Sequence, residues 1–240
     1  MKDHIYTIPV TNGLKSGCEC PFCHMRAEIE NSVIEFILGS AYMEEDIRES
    51  TDEQGFCGHH LARLYNEQNR LGLALMLHTR TKHINAQLKK LTSQKPLRKK
   101  DAKTQAAIVS SWLYGEAHSC YICNRIENTF KRYVFTYFYL WKKDESFAEL
   151  TQNSKGFCLE HFALLLTEGE KQLNSKSYEA FASMLLTLQT ENLARLEDEI
   201  DWFTKKFEHQ YANEPWKTSR DVLKRALLKL SDSNDDTNPS

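Results

Sequence analysis

Apolar positions recur along the chain with the three-to-four-residue period of amphipathic α-helices. Within residues 21–48, Ile29, Val33, Phe36 and Ile37 stand at i, i+4, i+7 and i+8, which is one face of a helix. The same period predicts further helices over residues 61–91, 106–114, 175–211 and 218–230, with Thr218 as the cap of the last one. No part of the chain is rich in strand patterns, so the sequence predicts an all-α fold.

A cysteine and histidine pattern occurs twice. "CPFC" at residues 20–23 is followed by "GFCGHH" at residues 55–60, and "CYIC" at residues 120–123 is followed by "GFCLEHF" at residues 156–162. Each copy reads C-x-x-C, a spacer of similar length, and G-F-C-x-x-H, which indicates an internal repeat. Six of the seven cysteines belong to the repeat, and Cys18 is left over.

The repeat suggests a domain organisation of two pseudo-repeated helical hairpins that form a helical bundle, followed by a long C-terminal helix and a short final helix. The stretch "TSQKPLRKKDAK" contains a proline and five cationic residues and predicts a surface linker. The last residues lack apolar side chains and predict a disordered, acidic tail. The predicted boundaries are 1–91 for the N-terminal repeat, 92–105 for the basic linker, 106–231 for the C-terminal repeat and helices, and 232–240 for the tail.

The aromatic run "YVFTYFYLW", residues 133–141, has the composition of a buried strand. Its alignment with the helix of the first repeat favours a helix that is apolar on most sides. Such a helix is either deeply packed or the face of a homodimer.

The repeated residues are typical metal ligands. A C-x-x-C pair directs two sulfurs toward one point, and a helix that begins there favours thiolate over thiol. In G-F-C-x-x-H the cysteine and the histidine share one face of the first helical turn, and the glycine permits a tight entry. Three thiolates and one imidazole form the Cys3His set of closed structural zinc sites, so we expect two zinc ions per chain.

Two pairings of the half-sites are open. Local pairing gives a first site of Cys20, Cys23, Cys57 and His60, and a second site of Cys120, Cys123, Cys158 and His161. Crossed pairing joins each C-x-x-C to the G-F-C-x-x-H of the other copy. Local pairing closes loops of about 35 residues rather than about 140, which favours it by roughly 1 kcal/mol for a flexible chain.

Other cofactors fit parts of the pattern. Iron–sulfur clusters use cysteine thiolates and sometimes histidine, which makes a redox or electron-transfer protein the main alternative. Dithiol catalysis at "CPFC" would need a βαβ context, which the sequence does not offer. The haem-attachment pattern C-x-x-C-H occurs in the first copy only, because Asn124 stands in the second copy where His24 stands in the first. Cys18 is either a free thiol or an additional ligand that could displace His60.

Composition narrows the classes of partner. The net charge of −2 does not favour nucleic acid, and no apolar run is long enough to span a membrane or to form a signal peptide. We therefore expect a cytoplasmic, soluble protein with no nucleic-acid or membrane partner. No catalytic motif occurs, so no catalytic residue is assigned, and a binding or regulatory role with a protein or small-molecule partner is expected.

Several motifs together resemble a known group of proteins. The segments "IYTIPV", "CECPFC", the paired "GFC" motifs, "DWF" and "EPWK" are similar to those of a functionally uncharacterised bacterial domain family of about 240 residues. The resemblance covers essentially the whole chain and rests most on the paired G-F-C-x-x-H motifs. It implies the helical fold and the ligand set, and it implies no activity.

Overall fold

A computed structural model describes residues 5–93 and 99–231, with the backbone alone for residues 99–102. Over these residues the chain forms eleven α-helices and no strand, which confirms the all-α prediction. The helices are α1 (Thr7–Lys15), α2 (Pro21–Leu38), α3 (Glu45–Gln54), α4 (Gly58–Asn66), α5 (Arg70–Thr92), α6 (Lys99–His118), α7 (Tyr121–Lys143), α8 (Glu145–Gln152), α9 (Leu159–Gln172), α10 (Ser175–Lys205) and α11 (Val222–Leu230). None of these helices combines the length and the apolarity needed to cross a membrane.

Four predicted helices are shorter than expected or divided. The helix predicted over residues 21–48 ends at Leu38, where Gly39 follows and disfavours continuation. The helix predicted over residues 61–91 is divided into α4 and α5, because Asn69 caps α5 by accepting a hydrogen bond of 2.9 Å from the Gly72 N–H.

At the C-terminal side, the helix predicted over residues 175–211 ends at Lys205. The side chain of Lys206 donates hydrogen bonds to the carbonyls of Tyr211 and Ala212 and so holds a tight turn that contains the short 3-10 helix His209–Tyr211. The final helix begins at Val222 with Asp221 as its first flanking residue, so Thr218 does not cap it.

Helix α6 is longer than predicted and begins inside the predicted basic linker. The centre of that linker, residues 94–98, and the predicted tail, residues 232–240, lie outside the described residues. The linker and tail predictions therefore stay predictions.

The chain divides into two compact units that differ from the two consecutive repeats predicted. Unit one comprises Met1–Glu28 and Phe130–Ser240, and unit two comprises Ile29–Thr129. The reason lies in α2 and α7, which begin in one unit and end in the other. At 1.5 Å per residue these helices are about 27 and 35 Å long, so each carries the chain far from its own C-x-x-C motif.

Unit one has an aromatic core. The ring of Phe22 lies 5.5 Å from Phe130, 5.3 Å from Tyr137 and 5.4 Å from Phe157, all with edge-to-face geometry. Tyr137 and its neighbour Phe138 are fully buried. The run predicted as a helix is thus part of α7 and is packed into this core.

Unit two has an aliphatic core. Its fully or nearly buried side chains come from α2, α4, α5 and α7, and they include Ile34, Ile37, Leu64, Met76 and Ile122. The apolar face predicted for α2 therefore supplies much of this core, although Phe36 remains exposed.

Candidate metal centres

The first group of potential ligands, cluster 1, lies within unit one. It consists of Cys20, Cys23, Cys158 and His161. Cys20 directly precedes α2, and Cys158 directly precedes α9, so the group joins the N-termini of two helices. The positive ends of two helix dipoles meet there, which favours thiolate sulfurs.

The distances in cluster 1 converge on the imidazole Nδ1 atom of His161. The Sγ atoms of Cys20, Cys23 and Cys158 lie 3.5, 3.3 and 3.1 Å from it. The Sγ atoms of Cys23 and Cys158 are 3.5 Å apart. Cys20, Cys158 and His161 are buried, and Cys23 is half-buried.

The second group, cluster 2, lies within unit two and has the same design. It consists of Cys57, His60, Cys120 and Cys123. The three Sγ atoms lie 3.2 to 3.3 Å from the Nδ1 atom of His60, and the Sγ atoms of Cys57 and Cys123 are 3.8 Å apart. The group joins the N-termini of α4 and α7, and Cys123 is exposed.

The structure brings together the eight predicted ligands in the crossed arrangement, so the preferred local pairing is wrong. Cys20 and Cys23 meet Cys158 and His161, whereas Cys57 and His60 meet the other C-x-x-C pair. Loop entropy favours local pairing only when the spacer between the motifs is flexible. Here the spacers contain the stiff helices α2 and α7. A rigid helix that starts at one C-x-x-C motif cannot return to it within its own length.

Both clusters fit a single tetrahedral ion. Zinc–sulfur bonds of about 2.3 Å and zinc–nitrogen bonds of about 2.0–2.1 Å place sulfurs about 3.8 Å apart and sulfur about 3.6 Å from nitrogen. The Cys23–Cys158 and Cys57–Cys123 sulfur separations are 3.5 and 3.8 Å, and the six separations between sulfur and nitrogen are 3.1 to 3.5 Å. All ligand atoms of a cluster lie within 4.8 Å of one another.

The sequence matches the family described as "Family of unknown function (DUF6062)" over residues 1–237. The chain belongs to this family. No curated protein and no solved structure matches the chain. The DUF6062 assignment agrees with the resemblance seen in the motifs.

The glycines of the two G-F-C motifs explain how this DUF6062 chain turns into each cluster. Gly55 and Gly156 have φ values of 63° and 74°, which only glycine adopts readily. A Cβ atom on Gly55 would lie 2.8 Å from the guanidinium of Arg80, and one on Gly156 would lie 2.9 Å from the Oε1 atom of Gln189. Gln189 also bonds both the N–H and the carbonyl of Phe157, at 3.0 and 2.9 Å.

A carboxylate supports the histidine of cluster 2. The Oε1 atom of Glu30 lies 3.3 Å from Nε2 of His60, on the side of the ring opposite Nδ1, and 3.2 Å from Nε2 of His59. Arg63 also contacts this carboxylate at 3.4 Å. This Nε2 contact is close enough for charge attraction but lacks hydrogen-bond geometry. A carboxylate behind a ligand imidazole favours the tautomer and ring orientation that direct Nδ1 toward the sulfurs.

Charged groups support the backbone of cluster 1. Lys229 is fully buried, and its Nζ atom donates hydrogen bonds of 2.6 Å to the Glu19 carbonyl and 2.5 Å to the Lys155 carbonyl. These carbonyls lie just before the C-x-x-C and the G-F-C motifs that build the cluster. The buried Glu19 carboxylate pairs with Arg195 at 2.6 Å and with Arg225 at 3.3 Å.

Sequence reasoning missed Glu30 and Lys229, although each left a signal. Glu30 stands with Val33, Ile34 and Ile37 on one helix face, and all four are buried. Lys229 continues the stripe of Val222 and Ala226 at the i+7 position. A charged residue on an apolar face needs a buried partner, and this is the pattern that identifies both.

Without a bound cation, the electrostatics of cluster 2 favour an ion pair between the His60 imidazolium and the Cys120 thiolate. Burial opposes protonation of His60, but the Cys120 thiolate and the Glu30 carboxylate outweigh it and raise the pKa of His60 to about 10. Burial also opposes ionisation of Cys120, and His60 outweighs it and lowers the pKa of that thiol to about 6. Burial and the neighbouring Cys120 raise the pKa of Cys123 to about 12.

Cluster 1 shows the same competition. Hydrogen bonds to Cys158 and Cys20 raise the pKa of Cys23, and hydrogen bonds from Cys20 and Cys23 lower the pKa of Cys158. Burial opposes protonation of His161, but Cys158 and Cys20 raise the pKa of this imidazole to about 9. Three sulfurs this close together compete for negative charge. A divalent cation bound between them would stabilise all three as thiolates.

Cys18 lies outside both clusters. Ser16 Oγ donates a hydrogen bond of 3.0 Å to its sulfur, and burial raises the pKa of the thiol. The structure therefore gives Cys18 no place among the eight ligand atoms that converge.

Proposed function

We propose that the protein is a structural zinc protein with a binding role, in which each cluster holds one ion. The observation that carries the proposal is the convergence of four ligand atoms in each cluster at nearly tetrahedral separations. Cys20, Cys23, Cys158 and His161 would hold one ion, and the four residues of cluster 2 would hold the other. A bound ion supplies positive charge that neutralises the crowded thiolates.

The ligand count supports a structural rather than a catalytic role for the ion. Each set already provides four protein ligands, so a tetrahedral zinc ion has no position left for a substrate. Each set also joins the N-termini of two helices from distant parts of the sequence. Because apparent zinc-binding free energies of about 10–16 kcal/mol exceed a typical stability of about 5–15 kcal/mol, removal of zinc is expected to unfold the units.

The compactness of the clusters favours a single ion over an iron–sulfur cluster. A multi-iron cluster needs its ligands spread around several metal atoms, and here all four ligand atoms lie within 4.8 Å of one another. A thiolate-rich zinc site also suits a reducing compartment, which supports a cytoplasmic location as part of the proposal.

Elemental analysis and an absorbance spectrum test the proposal, on full-length protein purified without oxygen and without chelator. We expect one zinc ion for each of the two clusters and no visible absorbance. Iron with sulfide and a broad visible band would contradict it and would favour electron transfer. Far-UV circular dichroism before and after chelation measures the predicted loss of helix.

A further inference from the structure

Helices α5 and α6 form a hairpin arm in unit two whose outer part has no core of its own. The arm is defined as residues 77–93 of α5 and its extension together with residues 103–118 of α6. None of these described residues is buried, although α5 is well packed at its start, where Gly72, Leu73 and Met76 are buried. Thr79 and Arg80 still bond Asp52 of α3. Helical stability in proteins comes mainly from packing of an apolar face, so the described part of the arm beyond them is a surface that can receive a partner.

The arm has an apolar groove along α6. The groove has a volume of about 660 Å³, and its lining includes Ala106, Val109, Leu113 and Ala117. These positions recur every three or four residues, so they form one stripe about 16 Å long, or three helical turns. A stripe of this length and spacing fits the apolar face of another helix better than a compact small molecule.

The charge of the arm differs from that of the rest of the chain. Residues 77–93 and 103–118 contain five Lys and Arg and one acidic residue, Glu116, whereas the whole chain contains 31 Lys and Arg against 33 Asp and Glu. At the end of the groove near Thr92, the side chains of Lys89, Lys90 and Lys103 are exposed. At the other end Arg80 is paired with Glu116, which leaves the lysine end as the strongly positive one.

We propose that the groove of the α5–α6 arm docks an acidic amphipathic helix of a partner protein. The apolar stripe receives the partner's apolar face, and the three lysines select acidic residues at its flank. The apolar floor argues against nucleic acid, whose interfaces are polar and charged. The positive lysine end argues against parallel pairing of two arms from two copies, because their lysines would repel.

The inference deepens the proposed binding role and does not depend on which metal the clusters hold. Its test uses a fluorescently labelled synthetic amphipathic helix of about 18 residues, roughly 27 Å long, with leucines on one face and glutamates elsewhere. The matched probe has lysines in place of the glutamates. A short DNA duplex and a single-stranded oligonucleotide are the nucleic-acid probes, and fluorescence anisotropy with the full-length protein measures binding.

Two matched variants locate the binding site. Leu113→Glu places a charge in the groove, and Ile108→Glu places the same charge elsewhere on α6, outside the lining, where the side chain is 55% exposed against 41% for Leu113. We expect the acidic helix to bind the wild type, Leu113→Glu to weaken binding about tenfold or more, and Ile108→Glu to leave it unchanged. The charge-reversal variant with Lys89→Glu and Lys90→Glu should weaken binding and reduce its salt dependence.

Four results would overturn the proposal. They are failure of the acidic helix to bind, equal binding of the acidic and lysine probes, oligonucleotide binding that Leu113→Glu leaves intact, and self-association that Leu113→Glu abolishes. Zinc content and circular dichroism on the same samples separate these failures from a failure of the structural zinc proposal. A variant that loses peptide binding while keeping its metal and helix reports on the groove alone.

Discussion

At the scale of the residue, the two charged side chains Glu30 and Lys229 connect each cluster to its surroundings. Glu30 stands behind the imidazole of His60, and Lys229 holds the carbonyls that precede the motifs of cluster 1. Neither is a ligand, yet both act on ligand geometry. The burial of Glu30 opposes its ionisation, but the contact with His60 and the charge of Arg63 outweigh burial and lower the pKa of this carboxyl.

Replacement of Glu30 tests the carboxylate. We expect Glu30→Gln to weaken metal affinity at cluster 2 by about 10–100-fold and to leave cluster 1 unchanged, because outer partners of a ligand histidine contribute that much. Glu35→Gln on the exposed side of the same helix is the control. Competition with a chromophoric chelator gives both affinities. Equal affinities in Glu30→Gln and the wild type would show that the carboxylate does not orient His60.

Residue types and motif spacing were sufficient to single out the eight residues that converge in the two clusters, and their role as metal ligands stays a prediction. C-x-x-C and G-F-C-x-x-H each form a half-site within one helical turn. The same local logic predicted the glycine turns at Gly55 and Gly156. The outer residues were not predicted, because their role depends on helices that are distant in sequence. Lys229, for example, contacts the Glu19 carbonyl, 210 positions away.

At the scale of the element, the helices α2 and α7 decide which half-sites meet. Periodicity predicted that these segments are helical, and the aromatic run in α7 confirms that a strand-like composition can be overridden by packing. Helix ends were less predictable, because Asn69 starts α5 and Lys206 follows the end of α10 through specific side-chain hydrogen bonds. The pairing was mispredicted because the stiffness of a helix replaces loop entropy as the deciding term.

Helix α11 contributes the buried Lys229 to the support of cluster 1, and replacement of this lysine measures its share. We expect Lys229→Met to lower the free energy of unfolding by about 1–3 kcal/mol, because the carbonyls of Glu19 and Lys155 lose a buried donor. The exposed Lys224→Met variant on the same helix should stay within about 0.5 kcal/mol of the wild type. Denaturant unfolding monitored by circular dichroism gives both values. A Lys229→Met variant as stable as Lys224→Met would contradict this role.

At the scale of the whole molecule, the two units each contain one cluster, and the clusters differ in exposure. Cys123 in cluster 2 is exposed and Cys57 is half-buried, whereas in cluster 1 only Cys23 is not buried. Each unit combines segments that are distant in sequence, so neither repeat taken alone contains a complete ligand set. The division of the chain into units was beyond sequence reasoning, because it depends on where long helices end.

The difference in exposure predicts two rates of metal loss. A chelator should remove metal from cluster 2 first and from cluster 1 more slowly, because access of the chelator to the ligands limits the exchange. Cys57→Ser should eliminate the fast phase and keep the slow one, and Cys158→Ser should do the reverse. Stopped-flow measurement with a zinc indicator records both phases. Release in one phase, or a fast phase that survives Cys57→Ser, would show that exposure does not control the exchange.

The central claim is that two single-ion sites are assembled by crossed pairing, and the metal content of one double variant tests it most directly. In Cys20→Ser/Cys158→Ser both substitutions fall in cluster 1, so elemental analysis after dialysis against a mild chelator should find one zinc ion per chain. The matched variant Cys20→Ser/Cys57→Ser damages both clusters and should retain none. If the first variant retained no zinc and the second retained one, the half-sites would be paired locally and crossed pairing would be wrong.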